Sequence, residues 1–259
     1  MQARRARAGH GAPLALIMSR ELEISVGQHS DKGRKETNQD FHGAYLPREP
    51  QRGAKGVVIA IADGISSSDV SHVASQYSVT GFLDDYFCTS DAWSVKKSAQ
   101  RVLTATNSWL YSQTRRSQYR YDTGRGYVCT FSALIIKSAT AHVFHVGDSR
   151  VYRLRDGSLE QLTNDHRVRV SEDTTYLSRA LGMSPQLEID YLALPVEQGD
   201  LFFLVTDGVY EYVSPRFVMQ TVHEQAADLD AAARLIIGEA LRRGSTDNLT
   251  AQIVRIDAL

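Results

Sequence analysis

Twice in this chain a strand-like run of small and apolar residues ends on an aspartate followed by glycine. Residues 57–64 read VVIAIADG and residues 201–208 read LFFLVTDG. An unbroken apolar run of this length reads as a strand buried on both faces. Taken singly, an Asp-Gly pair is a favoured turn. The pattern recurs, however. HVFHVGDSR at 142–150 carries Asp148, GSTDNLT at 244–250 sets Asp247 at the opening of the strand LTAQIVRI, and ETNQDFHGAYL sets Asp40 at the mouth of another. If these strand ends converge, five carboxylates meet. They would repel one another and be costly to desolvate, a cost that a hard divalent cation relieves.

The rest of the chain supplies the layers. LEISVG (22–27) and DFHGAYL (40–46) read as short strands. From Asp69 the period becomes helical: Val70, Val73, Ala74, Tyr77 and Phe82 share a face, with the Ser/Asp cluster at 66–69 as the expected N-cap. Val95, Ala99, Val102, Leu103, Thr106, Trp109 and Leu110 mark a longer helix, whose polar continuation QTRRSQYRYDTGRG (113–126) ends in a glycine-containing loop. Strands at 127–136, 140–147, 150–157 and 158–163 form an antiparallel meander turning at Lys137-Ser138 and Asp156-Gly157. Residues 164–198 are polar and read as a functional loop. Ser214-Pro215 and Asp228 are expected to open two further helices, the second ended by Gly244. Helices do not alternate with the strands, so an α+β layered sandwich is predicted rather than a doubly wound parallel sheet.

A chain of 259 residues, 42% hydrophobic, can bury a sizeable core as one domain. Lys plus Arg number 29 against 30 Asp plus Glu, which gives no reason to expect nucleic acid or an anionic membrane as partner. Cys88 and Cys129 lie in apolar stretches and read as buried thiols in a reducing cytoplasm. No run approaches the ~18 apolar residues of a membrane span. Residues 1–17, with Arg4, Arg5 and Arg7 before a short apolar patch, are expected to be a disordered leader to a catalytic domain at 18–259, with Met18 the working start.

The acids are all oxygen donors, a set that suits Mg²⁺ or Mn²⁺. The chain has no His- or Cys-rich zinc spacing, no Gly-rich phosphate loop ending in Lys-Ser/Thr, and no G-x-S-x-G nucleophile. An acid cluster holding two hard metals is the usual equipment for phosphate-ester hydrolysis by an activated water.

Eight motifs then occur in family order: SDKGRKETNQD (30–40), ADGISSSDVSHVAS (62–75), CTFSALII (129–136), HVGDSRVYRL (145–154), QLTNDH (161–166), LSRALG (177–182), LVTDGVYE (204–211) and TDNLT (246–250). In these the chain resembles the metal-dependent Ser/Thr protein phosphatases of the phosphatase 2C-like family. Its pattern is most similar to bacterial proteins in which such a domain is fused to a Ser/Thr kinase and a membrane anchor. The resemblance implies an α-β-β-α sandwich of two mainly antiparallel sheets, and hydrolysis of phosphoserine and phosphothreonine in proteins by a water bridging two Mn²⁺ or Mg²⁺ ions. It further implies that Asp40, Asp63, Asp207 and Asp247 hold the metals, Asp63 as the bridge, with the Gly64 carbonyl as another ligand and Asp148 at a third, weaker site. Residues 164–198 would form a flap. Lys35 or Arg34 stands where the family commonly places a phosphate-binding arginine. Gln39 replaces the usual Glu; it can still hydrogen-bond a metal-bound water but brings no charge. The family's proton-donating His is absent, leaving His72 and His166 as loose candidates. A cognate or fused kinase is implied as partner, and a cytoplasmic monomer is expected. The competing reading, a phosphoprotein-binding pseudophosphatase serving as a regulatory module, rests on Gln39, Lys35 and the glycines lost after Gly64.

Overall fold

Alternation explains why the run at 57–63 is apolar throughout. Val57, Ile59 and Ile61 pack with Phe202, Leu204 and Val254, whereas Val58, Ala60 and Ala62 pack with Phe82, Leu103 and Phe131. Successive side chains of a strand leave on opposite faces, so this strand has a core on each side. The computed structural model describes residues 22–169 and 175–259. The leader expected at 1–17 lies outside the described residues.

The first half comprises β1 (Glu23–Asp31), β2 (Asp40–Tyr45), α1 (Gln51–Lys55), β3 (Val57–Asp63), α2 (Ser71–Cys88), α3 (Val95–Arg116), β4 (Phe131–Lys137) and β5 (Thr140–Val146). The second comprises β6 (Arg150–Arg155), β7 (Ser158–Gln161), β8 (Arg167–Arg169), β9 (Thr175–Leu177), β10 (Asp190–Pro195), β11 (Leu201–Val205), α4 (Asp207–Tyr210), α5 (Pro215–Glu224), α6 (Leu229–Arg242) and β12 (Leu249–Ala258). Two antiparallel sheets, ordered β1-β12-β11-β6-β7 and β10-β5-β4-β3-β2, stack face to face. Their shared core contains Ile59, Leu134, Phe202 and Val254. Helices α2 and α3 cover the outer face of one sheet through Phe82, Tyr86, Leu103 and Leu110. On the other sheet α5 and α6 do the same through Val218, Val222, Ile236 and Ile237. The order of layers is α-β-β-α, as the resemblance implies.

Local chemistry explains several boundaries. Ser214 caps α5 with Pro215 in its first turn, and Asp228 caps α6 by accepting from Ala231 N. The hairpin turns use left-handed backbone at Ser138 (φ 53°) and at Asp156-Gly157 (φ 50° and 72°). Other expectations are corrected. Helix α2 begins at Ser71 behind Val70, with no side-chain cap; Ser68 Oγ accepts from Val70 N (3.1 Å), one residue ahead of the helix, and donates to the carbonyls of Arg125 and Gly126. Val73 and Tyr77 lie toward solvent while Ala74, Val79, Phe82 and Tyr86 are buried. Cys129 is buried but Cys88, at the last turn of α2, is exposed. The described residues of 164–198 are more structured than a loop. The hairpin β8–β9 stands there, followed by β10, which pairs with β5 along the sheet edge from Asp190↔His145 to Pro195↔Thr140.

Candidate metal centre

Pairing brings the acids together. Asp40, the first residue of β2, is the register partner of Asp63, the last residue of β3. In the other sheet β11 and β12 are neighbours, so Asp207 just after the one and Asp247 just before the other share an end. Asp148 lies in the short crossing from β5 in one sheet to β6 in the other. A cavity of about 470 Å³ at this end of the sandwich is lined by Asp63, Gly64, Thr130, Asp148, Asp207 and Asp247, among others. Asp40 is buried behind its partner, 5% exposed.

The glycines of the two Asp-Gly pairs do not serve turns. Neither Gly64 nor Gly208 has a left-handed φ. A Cβ on Gly64 would lie 2.8 Å from Ser71 backbone, and one on Gly208 would lie 2.0 Å from the Asn248 carbonyl oxygen. Glycine is required at both because backbone approaches closely next to an acid.

Asp40 Oδ2 accepts hydrogen bonds from Thr206 Oγ1 (2.9 Å) and Thr250 Oγ1 (2.7 Å). Its Oδ1 is buried without a partner. Burial, with a smaller contribution from the Asp247 charge, pushes the Asp40 carboxyl up to about 6 despite those hydroxyls. Burial also lifts Asp63 well above the carboxylate range, helped by the charges of Asp40, Asp207, Asp148 and Asp247. Asp207 rises to about 7 through burial and then Asp148 and Asp247. Each of these acids is held where its charge is unfavourable, the condition that bound cations reverse.

One side of the cluster has a cation of its own. From β8, Arg167 donates Nε to Asp148, Nη2 to Asp207 Oδ2 at 2.8 Å and Nη1 to Glu211 Oε1 at 2.8 Å. Even so, burial keeps Asp148 above its ordinary value. Lys35 Nζ stands 3.3 Å from Asp247 Oδ1, half-buried at the cluster's edge, whereas Arg34 is exposed. Among the described residues no three carboxyl, imidazole or thiol groups close into a ready coordination set. Two of the carboxylates, Asp148 and Asp207, lean on the guanidinium.

Two polar side chains lock the surrounding loops. Gln39 Nε2 donates to Ser68 O (2.6 Å) and Ser71 Oγ (2.6 Å), fixing the loop after Gly64. The amide nitrogen is therefore a brace, and neither bond involves the amide oxygen, the atom that would accept from a metal-bound water. Asn248 accepts from Gln39 N (2.8 Å) and donates to the carbonyls of Lys32 and Thr37, clamping the Lys35 loop onto β12. His166 is no free proton donor. Its Nδ1 accepts from Gly147 N (3.1 Å) and its Nε2 meets Asp190 Oδ2 (3.0 Å), so the ring props the loop carrying Asp148. His72 does not line the cavity. Sequence reasoning missed Arg167, Asn248, Thr206 and Thr250. The last three stand beside Asp207 or Asp247 in the quoted motifs, and that adjacency was the available signal.

The donor set fits divalent metal. It is all oxygen, it is converged by four strand ends, and it contains a buried carboxylate oxygen with no other partner.

The family model described as Protein phosphatase 2C matches residues 28–243. The serine/threonine phosphatase stp of Listeria welshimeri is 27% identical over 251 residues, covering 87% of this chain and 93% of that protein. Protein phosphatase PhpP of Streptococcus pneumoniae is 24% identical over 256 residues, covering 91% and 98%. In fold the chain is similar to the catalytic domain of the serine threonine protein phosphatase PstP, solved in complex with two manganese ions. That likeness has a TM-score of 0.74 at 24% identity and covers 92% of this chain and all of that one.

Proposed function

Because this chain belongs to the protein phosphatase 2C family, and is accordingly a divalent-metal-dependent protein Ser/Thr phosphatase, we propose a role for each acid in that reaction. Asp40, Asp63, Asp207 and Asp247 would hold the two metals, Asp63 shared by both, and the Gly64 carbonyl would add a further ligand. Asp148 serves a third, weaker position. Mn²⁺ is the proposed ion, Mg²⁺ its alternative. One observation carries the assignment: Asp40 presents a buried, unpartnered carboxylate oxygen next to its register partner Asp63. An acid pair of this kind needs either a bound cation or a retained proton to offset its charge, and a cation is what phosphate-ester hydrolysis by an activated water calls for. When bound, the metals supply Lewis acidity that activates water and neutralises charge on the phosphoryl group.

The chain's own residues do the rest. Thr206 and Thr250 fix Asp40 by one oxygen and leave the other free. Asn248 holds the loop that presents Lys35, whose ammonium binds substrate phosphate as a point charge once Asp247 is engaged elsewhere. Gln39, which had favoured the binding-only alternative, is spent on loop contacts. Residues 18–259 work as one catalytic domain, a cytoplasmic monomer whose phosphoserine and phosphothreonine substrates come from a cognate Ser/Thr kinase. No helix among the described residues is long and apolar enough to cross a membrane.

The test is turnover of a phosphothreonine peptide and of p-nitrophenyl phosphate across a Mn²⁺ titration. Activity is expected to appear with metal and vanish with chelator. Undiminished turnover in metal-free buffer overturns the proposal.

A further inference from the structure

The mechanism leaves unused a basic loop that forms part of the cavity wall. Residues 113–126 carry four arginines and one aspartate in a chain whose net charge is −1. Arg115, Arg116, Arg120 and Arg125 are all exposed. Arg125 pairs with Asp69 at 3.4 Å. Among the described residues, Arg115, Arg116 and Arg120 have no carboxylate partner. Arginines in the last turn of a helix suit its C-terminal dipole, which accounts in part for Arg115 and Arg116. Arg120 lies beyond the helix and gains nothing from that.

The loop is built rather than loose. Thr114 Oγ1 accepts from Tyr127 N at 2.8 Å, closing its two ends on each other, and Gly126 lies so close that a Cβ would sit 2.3 Å from the Thr114 side chain. Backbone turns run through it, from Asp122 N to Tyr119 O (2.9 Å) and from Arg125 N to Asp122 O (3.0 Å). Arg115 Nη1 donates to Arg120 O at 2.8 Å. The loop is also bolted to the segment that follows Gly64: Ser67 Oγ donates to Gly124 O at 2.6 Å, and Ser68 Oγ donates to Gly126 O at 2.8 Å. Gly124 itself lines the cavity that holds Asp63, Asp148, Asp207 and Asp247. Closed loops of this size, packed by their own contacts, are frequent carriers of recognition.

We propose that this arginine loop is a docking rim for acidic residues flanking the phosphorylated side chain of the protein substrate. The inference rests on the phosphatase reading and names its substrate class: phosphosites with Asp or Glu a few residues from the phosphoserine or phosphothreonine. Charge complementarity selects this occupant. A phosphopeptide whose phosphate reached the cavity would come against this loop at Gly124, and Arg115, Arg116 and Arg120, exposed on the same loop without carboxylate partners, supply the charge to meet its acids. Exposed charges of this sort act mainly on encounter and on KM, and are screened by salt.

The test compares two phosphothreonine peptides, one with Glu and one with Gln at the flanking positions, and p-nitrophenyl phosphate as a substrate too small to reach the rim. The Mn²⁺-loaded protein is expected to favour the Glu peptide in kcat/KM by about tenfold at low salt, and much less in 0.5 M NaCl, a concentration at which screening is about as short as an ion pair. The double variant Arg116→Glu/Arg120→Glu should lose or invert that preference while hydrolysing p-nitrophenyl phosphate as before. Arg116→Gln/Arg120→Gln, gentler on folding, should lose it without inversion. Equal kcat/KM for both peptides in the wild type, or a preference that survives both double variants, overturns the proposal. So does an equal loss on the small ester, which would mean the loop acts through the metal centre. Tighter binding of a single-stranded oligonucleotide than of the Glu peptide would also overturn it. Fluorescence anisotropy of the labelled peptides reads the rim directly, so a protein that bound the Glu peptide selectively but hydrolysed nothing would sink the phosphatase reading and leave the docking rim standing.

Discussion

The acid cluster has two unlike halves. In the inner half, Asp40 and Asp63 face each other across β2 and β3, with threonine hydroxyls on one oxygen of Asp40 and nothing on the other. In the outer half, Asp148 and Asp207 share the guanidinium of Arg167. Both halves are buried enough to raise their carboxyls, yet only the outer one brings its own positive charge. An acid pair set opposite each other in the ladder of two paired strands cannot relax away from its charge. A pair at loop ends can be met by a side chain from a neighbouring hairpin. The inner half therefore depends on metal more strictly, and the outer half is where metal must compete with the protein itself.

The largest effect should separate the halves outright. Asp63→Asn removes the central carboxylate and is expected to lower kcat/KM on phosphopeptide by about three orders of magnitude. Asp148→Asn, at the weaker position, is expected to cost about tenfold to a hundredfold. Equal losses in the two variants would erase the distinction. Steady-state kinetics at saturating Mn²⁺, with calorimetric titration of each variant, decides it.

Lys35 tests the edge where the halves meet. Lys35→Ala should raise KM about tenfold with metal affinity largely intact, since it removes charge that binds substrate. Arg34→Ala, at an exposed position, should change KM less than twofold, within the range of ordinary surface substitutions. Lys35→Arg should improve kcat/KM if the guanidinium grips phosphate in two places. A larger effect at Arg34 than at Lys35 would reverse the assignment.

Most of the acid cluster could be read before any coordinates, and the reason is repetition. Asp40, Asp63, Asp207 and Asp247 each stand where an apolar period breaks, and buried strands leave strong periods. Arg167 left no such trace. It is one arginine in a polar stretch, and it meets Asp207 forty residues away in sequence only because β8 folds over the cavity. Strand β10 was lost for a related reason: at the sheet edge Leu192 is partly exposed, so the alternation that marks a strand is blurred. The bracing role of the Gln39 nitrogen was not legible because its partners, Ser68 and Ser71, come from the loop opposite.

A smaller effect follows from the competition at the outer half. Arg167→Ala frees Asp148 and Asp207 from a fixed cation, so Mn²⁺ affinity at the weaker position should rise about fivefold to tenfold. The two tighter sites share Asp207 and should tighten less, because Asp40, Asp63 and Asp247 accept no hydrogen bond from Arg167. Mn²⁺ titration followed by electron paramagnetic resonance resolves the two classes. If no class of site tightens, Arg167 is a bystander and the halves differ only in burial.

The smallest expected effect concerns stability without metal. Folding raises the Asp63 carboxyl well above its unfolded range, so the native state holds a proton there that the unfolded chain releases. Stability from this group is present at low pH and is lost as pH rises, because the native state must then either keep the proton or bear a buried charge. His145, lowered to about 4 by burial, works in the opposite sense, since the unfolded chain protonates it first as pH falls. Comparing wild type with Asp63→Asn cancels the histidine contribution and leaves the carboxylate alone. In metal-free buffer at pH 8 the variant should be more stable by ~1–2 kcal/mol, a rise of about 3–6 °C in Tm for a domain of this size. The gap should close toward pH 5, where the wild-type acid is protonated as well. The matching pair at the outer half is Asp148→Asn, and its gap should be smaller at every pH, because Arg167 already offsets part of that charge. Thermal denaturation of the three proteins in chelator between pH 5 and pH 8 measures both gaps, and a larger gap for Asp148→Asn would mean that the guanidinium contributes nothing to the difference between the halves.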